Sequence, residues 1–531
     1  MFDQTKAPII ETLKNLTQKS HAPFYTPGHK QGKGIAEPLS DLLGTKVFPA
    51  DLPELPELDN LFTPNGVIQE SQELAAETFG ALETKFLVNG STTGIIAGIL
   101  ATCGKGDKII LPRNIHQSII SGLILSGAIP IFIHPDYDSD WDIHLSITPK
   151  SMAQTLAKYP DAKAVMIVYP TYHGVCGDIT AIAQEVHKYN IPLLVDEAHG
   201  PHFAFHSELP KAALVGGADL TVQSIHKVLG AMTQASMLHL GSQRIDSYRL
   251  NQALQMLQSS SPNYLLLASL DAARQQMSLF GQELMSKTIQ LANDARNRIS
   301  QLPNFSVFDK EERRKKFEGR SLTSLTGESE LLTNDDEEGS WKSGAIFSIP
   351  NYPIENYFNP GFIALDQTRL TIKVSNIGLS GYEADEILHE ELGVTCELPS
   401  FQHLTFIISI GNTKADIDQL VRALVSLRSR GRVNLPIHHR KKLDLDIIDF
   451  SIPVSPRDAF FAHKNCLPIE KSLGHISAEL ICPYPPGIPV LIPGEIITEK
   501  HLQILEQVLR LGGIITGCSN PTLKTIKVSR F

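Results

Sequence analysis

Two short clusters of titratable residues, Asp196-Glu197-Ala198-His199-Gly200 and Ser224-Ile225-His226-Lys227, each follow an apolar run of the kind that forms a buried strand. A carboxylate at a strand end can pair with a protonated ring nitrogen. A lysine enclosed behind a buried strand loses basicity and becomes a nucleophile able to hold an aldehyde as a Schiff base. Ser224 and His226 add a hydroxyl and an imidazole suited to a phosphate. Upstream, Asn89-Gly90-Ser91-Thr92-Thr93-Gly94 follows Phe86-Leu87-Val88 and opens a helical pattern. A glycine turn there would aim free N–H groups at an anion, with the hydroxyls of Ser91, Thr92 and Thr93 beside them. His116, beyond the run ending at Leu111, could stack on a planar ring. Cradle, imidazole, carboxylate and lysine, in that order on successive strand ends, form the set that a pyridoxal-phosphate site requires.

Each member alone has a plainer use. Ser and Thr cap helices, His116 could cap the next one, Asp196 could cap the segment after it, and Lys227 could be a surface lysine. Gly104-Lys105-Gly106-Asp107 lacks the spacing of a nucleoside-triphosphate loop and reads as a turn. His199, His202 and His206 are close enough to suggest zinc, but Gly200 and Pro201 break the helix that would align them, so no metal is expected. A Ser224-His199-Asp196 hydrolase lacks its G-x-S-x-G elbow.

The elements that must position these groups are legible as apolar runs: Phe86–Val88, Lys108–Leu111, Ile129–Ile133, Ala164–Tyr169, Pro192–Val195, Leu220–Gln223 and Ser236–Leu240. Helical patterns separate most of them, which predicts an α/β domain with a mostly parallel sheet and ligands at the carboxyl ends of its strands. The chain of 531 residues is too long for one core. Residues 1–60, with a helix at Pro8–Lys19, read as an N-terminal arm; 61–295 as the large domain; 296–430 as a small α/β domain; and 431–531 as a C-terminal α+β domain. A long helix is expected near Ser261–Leu302, a solvated loop over Lys310–Ser340, and a basic linker over Arg430–Lys442. The run Ile481-Cys482-Pro483-Tyr484-Pro485-Pro486-Gly487-Ile488-Pro489 is expected to be an extended loop, because proline denies both helix and central strand. The net charge of −10 has no basic stripe for nucleic acid. The six scattered cysteines suit a reducing cytoplasm, and neither a signal peptide nor a membrane-length apolar run is present.

Over nearly its whole length the chain resembles the fold-type-I, pyridoxal-phosphate-dependent family of bacterial ornithine, lysine and arginine decarboxylases. The resemblance lies in Thr26-Pro27-Gly28-His29-Lys30, Asn89–Thr93, His116, Asp196–His199, Ser224–Lys227, Gln234-Ala235-Ser236-Met237, Ser259-Ser260-Ser261-Pro262-Asn263-Tyr264 and Tyr484–Pro489 with Pro493-Gly494-Glu495. It implies that Lys227 carries the coenzyme, Asp196 pairs with its ring nitrogen and His116 stacks on the ring. Ser91, Thr92, Thr93, Ser224 and His226 would hold the phosphate, and Ser259 would reach the phosphate of a neighbouring subunit. Glu495 would meet the distal cation of a basic amino acid, with His29 nearby. Larger members begin with a receiver-like domain that builds high oligomers; this chain starts almost directly at the helix before Thr26, and a homodimer with shared sites is implied. Where larger members have tryptophan three residues after the aspartate, this chain has His199, as shorter members do. Either His199 or the released Lys227 could return a proton to the α-carbon. The expected reaction is α-decarboxylation of arginine, lysine or ornithine. An aminotransferase using Arg369 as a carboxylate clamp, or a non-catalytic regulatory paralogue, are the alternatives.

Overall fold

A computed structural model of the chain describes residues 2–310, 361–431, 452–484 and 487–530. The polar stretch beyond Lys310 and the basic linker beyond Gly431 lie outside them.

The seven apolar runs form one sheet. Its strands are β1 (Glu83–Leu87), β2 (Lys108–Pro112), β3 (Ile129–Ile133), β4 (Ala164–Val168), β5 (Leu193–Asp196), β6 (Leu220–Gln223) and β7 (Ser236–Leu240), in the order β1-β7-β6-β5-β4-β2-β3. Strands β3, β2, β4, β5 and β6 are mutually parallel, and β7 runs antiparallel to both β1 and β6. Both faces are buried, which is why these strands read as continuous apolar runs. Leu87, Ile109, Leu111, Met166, Leu194, Val222 and Leu238 enter the core on one face. Their neighbours Phe86, Val88, Ile110, Val165, Ile167, Leu193, Val195 and Met237 enter the core on the other. Strand order reverses between β2 and β4, a switch point that opens a crevice at the carboxyl ends where the candidate residues emerge.

The N-terminal helix Pro8–Thr17 buries Ile9, Leu13 and Leu16 in the second of these cores. It is pinned to the long helix Tyr264–Ser300, where Asp271 Oδ2 accepts from Ile9 N at 3.0 Å and Arg274 donates to Lys6 O at 2.7 Å. The far half of that helix, through Ala292, Ala295 and Ile299, packs on a four-stranded antiparallel sheet ordered Ser306–Val307, Arg369–Lys373, His403–Ile407, Leu398–Pro399. Helices Gly381–Leu392 and Lys414–Arg430 complete that unit, each starting with a capping box, at Ser380 and Thr413.

Farther along, Ile481, Leu491, Leu505, Val508, Ile515 and Ile526 form a separate core beneath the helix Glu499–Arg510. Here one expectation holds only in part, since residues 487–489 have no regular structure but residues 482–484 do. Cys482–Tyr484 is a strand, not a loop, pairing antiparallel with Ile514–Thr516 so that Pro483 lies opposite Ile515. A two-stranded ribbon consists of edges alone, where a residue without an N–H leaves no partner unsatisfied. No helix among the described residues is long and apolar enough to cross a membrane.

Candidate active site

At the end of β5, Asp196 sits beside Val168 of β4 and Val222 of β6 and is buried. Its Oδ1 accepts from Ala198 N at 3.1 Å, and Gly200 N closes the turn on Glu197 O at 2.9 Å. Only glycine fits at position 200, because a Cβ would lie 2.8 Å from Glu197 and 3.0 Å from Pro170. Burial raises the Asp196 carboxyl above its usual range, and the nearby Lys227 charge and the Ala198 amide oppose it.

One strand over, β6 delivers Ser224 and then the single helical turn Ile225–Val228. Lys227 Nζ lies 3.0 Å from His199 Nε2. Burial lowers the amine's pKa; Asp196 and Glu397 oppose that shift, and Arg369 adds to it. His199 is buried against the ring of Tyr172, 4.9 Å away between centroids. Burial, then the charges of Lys227 and Arg369, hold its pKa well below the ordinary value, so it is neutral. Arg369 Nη2 donates to His199 O at 2.9 Å and lies 3.2 Å from its Nδ1.

The glycine turn expected to cradle an anion opens a helix. Helix Gly90–Thr102 has no side-chain cap, and its N-cap residue Asn89 instead accepts from Ser259 N at 3.3 Å. Ser224 Oγ donates to Ser91 Oγ at 2.8 Å, joining the lysine-bearing turn to the cradle. Thr92 is exposed, and Thr93 Oγ1 bonds back to Asn89 O at 3.1 Å. His226 is fixed through Nδ1 to Ala235 O at 3.0 Å, so its Nε2 carries a lone pair when the ring is neutral, the state that burial favours. His116 does cap its helix, accepting from Ser118 N at 3.2 Å through Nδ1. Burial, with Lys227 adding, holds its pKa down at about 4. A bridging hydroxyl pair, an uncapped helix start, a buried carboxylate and an amine of lowered pKa suit a phosphorylated pyridine aldehyde.

Two expected substrate residues are committed elsewhere. Glu495 is 1% exposed, with both carboxylate oxygens 3.3 Å from Arg113 Nη2 and Oε2 accepting from Ile492 N at 2.8 Å. Its carboxylate therefore joins the C-terminal region to the loop after β2 instead of facing a substrate cation. His29 accepts from Gly32 N through Nδ1 and pairs with Asp51 through Nε2, both at 3.0 Å, which occupies both ring nitrogens within the N-terminal segment. The histidines considered for zinc diverge: His199 faces Lys227, His202 lies 3.1 Å from Asp366, and His206 bonds Ser286. Ser224 bonds Ser91, so it forms no hydrolase pair with His199.

Sequence reasoning missed Tyr172, Glu397 and Arg113, and took Arg369 as the carboxylate clamp of an alternative aminotransferase. Arg369 is in fact 1% exposed. Asp366 three residues before it, at 3.5 Å from its Nε, was the one signal available.

Comparison with known proteins places the chain. The family model described as Orn/Lys/Arg decarboxylase, major domain, matches residues 7–416, and its C-terminal domain matches 451–514. The chain belongs to this family. The arginine decarboxylase of Bacillus subtilis is 35% identical over 527 residues, spanning 99% of this chain and 98% of that one. The lysine decarboxylase LdcA of Pseudomonas aeruginosa is 25% identical, covering 94% of this chain and 75% of its own. The solved lysine decarboxylase of Francisella novicida superposes with a TM-score of 0.79 at 23% identity, over 99% of this chain and 81% of that chain. The α/β fold is therefore that of the fold-type-I decarboxylases, and this family member is an amino-acid decarboxylase.

Proposed function

We propose that the chain binds pyridoxal 5′-phosphate on Lys227 and removes the α-carboxylate of a basic amino acid as carbon dioxide, yielding an amine for polyamine synthesis. The observation that carries this reading is the Lys227 amine, lowered in pKa, 3.0 Å from a neutral imidazole and within the charge of the buried Asp196. When bound, the coenzyme supplies the sink for the electrons of the breaking carbon–carbon bond. Asp196 keeps its ring nitrogen protonated, and the cost of burying that carboxylate falls once it has a cation to face. Ser91, Ser224, Thr92, Thr93 and the free N–H groups of the uncapped helix hold the phosphate, and His226, with Nδ1–H committed to Ala235 O, joins them as the imidazolium, the state in which its Nε2 donates. Ser259, beside Asn89, stands where it could serve the same cradle or, in a homodimer, the partner's. His116, anchored through Nδ1, presents its ring to the coenzyme. His199 Nε2 and Lys227 Nζ are the two atoms able to hand a proton to the α-carbon.

Among arginine, lysine and ornithine we favour arginine, supported by the arginine decarboxylase of B. subtilis being similar over nearly the full length of both chains. Amine analysis after incubation with each amino acid decides it, with agmatine expected. A keto acid released without carbon dioxide would sink the reading. That outcome would suit an aminotransferase, for which the buried, unpartnered Nη1 of Arg369 would be the carboxylate clamp. A cytoplasmic homodimer is the setting we propose, tested by sedimentation and fractionation.

A further inference from the structure

We infer that Arg369 is a positioning residue: its Nη2–H fixes His199 as the tautomer protonated on Nε2, and that Nε2–H holds the Lys227 amine as its free base. The inference rests on the reading of Lys227 as the nucleophile and adds what keeps it one. A guanidinium only donates. Arg369 Nη2, 3.2 Å from His199 Nδ1, therefore needs a bare lone pair there. The one hydrogen of a neutral imidazole is then on Nε2, 3.0 Å from Lys227 Nζ.

An ammonium has three hydrogens and nothing to accept with, so a charged Lys227 would set donor against donor. The reverse arrangement, ammonium donating to a bare Nε2, would put an Nδ1–H against Arg369. A doubly protonated ring would put its Nδ1–H against the Arg369 donor even beside a free amine. One assignment of protons satisfies all three groups, and in it the amine is uncharged. Arg369 cannot easily turn away: it is 1% exposed, its Nη2 also donates to His199 O at 2.9 Å, and Asp366 lies 3.5 Å from Nε. Asp366 is itself backed by His202 at 3.1 Å and Thr368 Oγ1 at 2.7 Å. The other ionisable groups acting with the amine are Asp196, Glu397, His116 and His226. The two carboxylates favour the ammonium and so oppose the effect of Arg369.

The test uses the full chain freed of coenzyme. Reductive methylation of Lys227, followed by mass spectrometry across pH, reports the free-base fraction. Arg369→Met is expected to move the midpoint up by about one unit, which is about tenfold slower labelling at a pH below both midpoints. Arg369→Lys, which retains a donor, should restore part of it. In a His199→Phe background, Arg369→Met should move the midpoint no further. An equal shift in both backgrounds would mean that the guanidinium acts on the amine by charge alone and would overturn the inference, as would no shift in either. Should Arg369→Met fail to fold, nitrogen-15 spectra of histidine in the unaltered chain still decide, with the His199 signal assigned by its loss in His199→Gln. Hydrogen on Nε2 is expected; hydrogen on Nδ1 overturns the inference. No substrate enters these measurements, so failure to decarboxylate any basic amino acid would remove the proposed function and leave this result standing.

Discussion

Arg113→Met tests whether the buried Glu495 carboxylate is structural. Arg113 Nη1 donates to Pro489 O at 2.7 Å and Nη2 to Val490 O at 3.1 Å, besides its pairing with Glu495 at 3.3 Å. Removing one member of a buried ion pair costs about 3–5 kcal/mol, mainly because the remaining charge is left uncompensated. At about 1.4 kcal/mol per factor of ten, the region around Ile488–Glu495 should open about 10²- to 10⁴-fold more often. Hydrogen exchange read by mass spectrometry is the suitable assay, because a chain with several cores has no single unfolding free energy.

The pH dependence has a fixed sign. Burial raises the folded pKa of Glu495, Arg113 opposes it, and the Met variant lets it rise further. A carboxyl whose folded pKa lies above its unfolded value contributes stability that is lost as pH climbs from the ordinary carboxylate range through the folded pKa. The Arg113→Met penalty should therefore be larger at pH 8 than at pH 5. Glu495→Gln should also destabilise, by stranding Arg113, and the double variant should cost less than the sum. If Glu495→Gln instead leaves exchange untouched and raises KM for the amino acid alone, the carboxylate faces substrate and the reasoning is wrong.

Lys227→Ala should abolish both the borohydride-trapped coenzyme and carbon dioxide release, and full turnover in that variant would defeat the assignment. Asp196→Asn should lower kcat on the order of 10²- to 10³-fold with coenzyme still trapped on Lys227, checked by steady-state kinetics and absorbance. Ser224→Ala, which loses the bond to Ser91, should weaken coenzyme binding by about 1 kcal/mol, measured by titration of the apoenzyme. Gly94→Ala would bring a Cβ to 2.7 Å from Leu87 and 2.8 Å from Val222, and the overpacking should cost about 1–3 kcal/mol in a thermal melt.

Much of the central sheet was readable because a strand buried on both faces must be apolar throughout; β2 to β7 fall on the expected runs, while β1 begins three residues before its run, at Glu83, where the strand is polar and Glu83 is exposed. Asp196 was readable for a related reason, since a charged residue closing such a run has few places to go but the strand's carboxyl end; Lys227, four residues past β6 on the turn Ile225–Val228, was readable only together with Ser224 and His226 before it. What the sequence hid depends on partners far away along the chain. Nothing near Glu495 announces Arg113, 382 residues earlier, and nothing near His199 announces Arg369, 170 residues later. The His29 pairing was local, yet an aspartate 22 residues on, past two prolines, has no fixed spacing to betray it. Pro483 misled because the rule against proline in strands was applied without asking how many neighbours the strand has.

The amide of Gln117, just after His116, donates to the carbonyl of Gly487 at 3.1 Å, and Arg113 grips Pro489, Val490 and Glu495 from the same loop. One wall of the crevice is thus closed by residues made some 370 positions after the strand that starts it. During synthesis the β2 loop and its imidazole must wait, unbraced, until residues 487–495 have been made. Coenzyme capture should therefore follow the making of that segment, and a ribosome stalled before it would hold a complete seven-stranded sheet with an unfinished pocket.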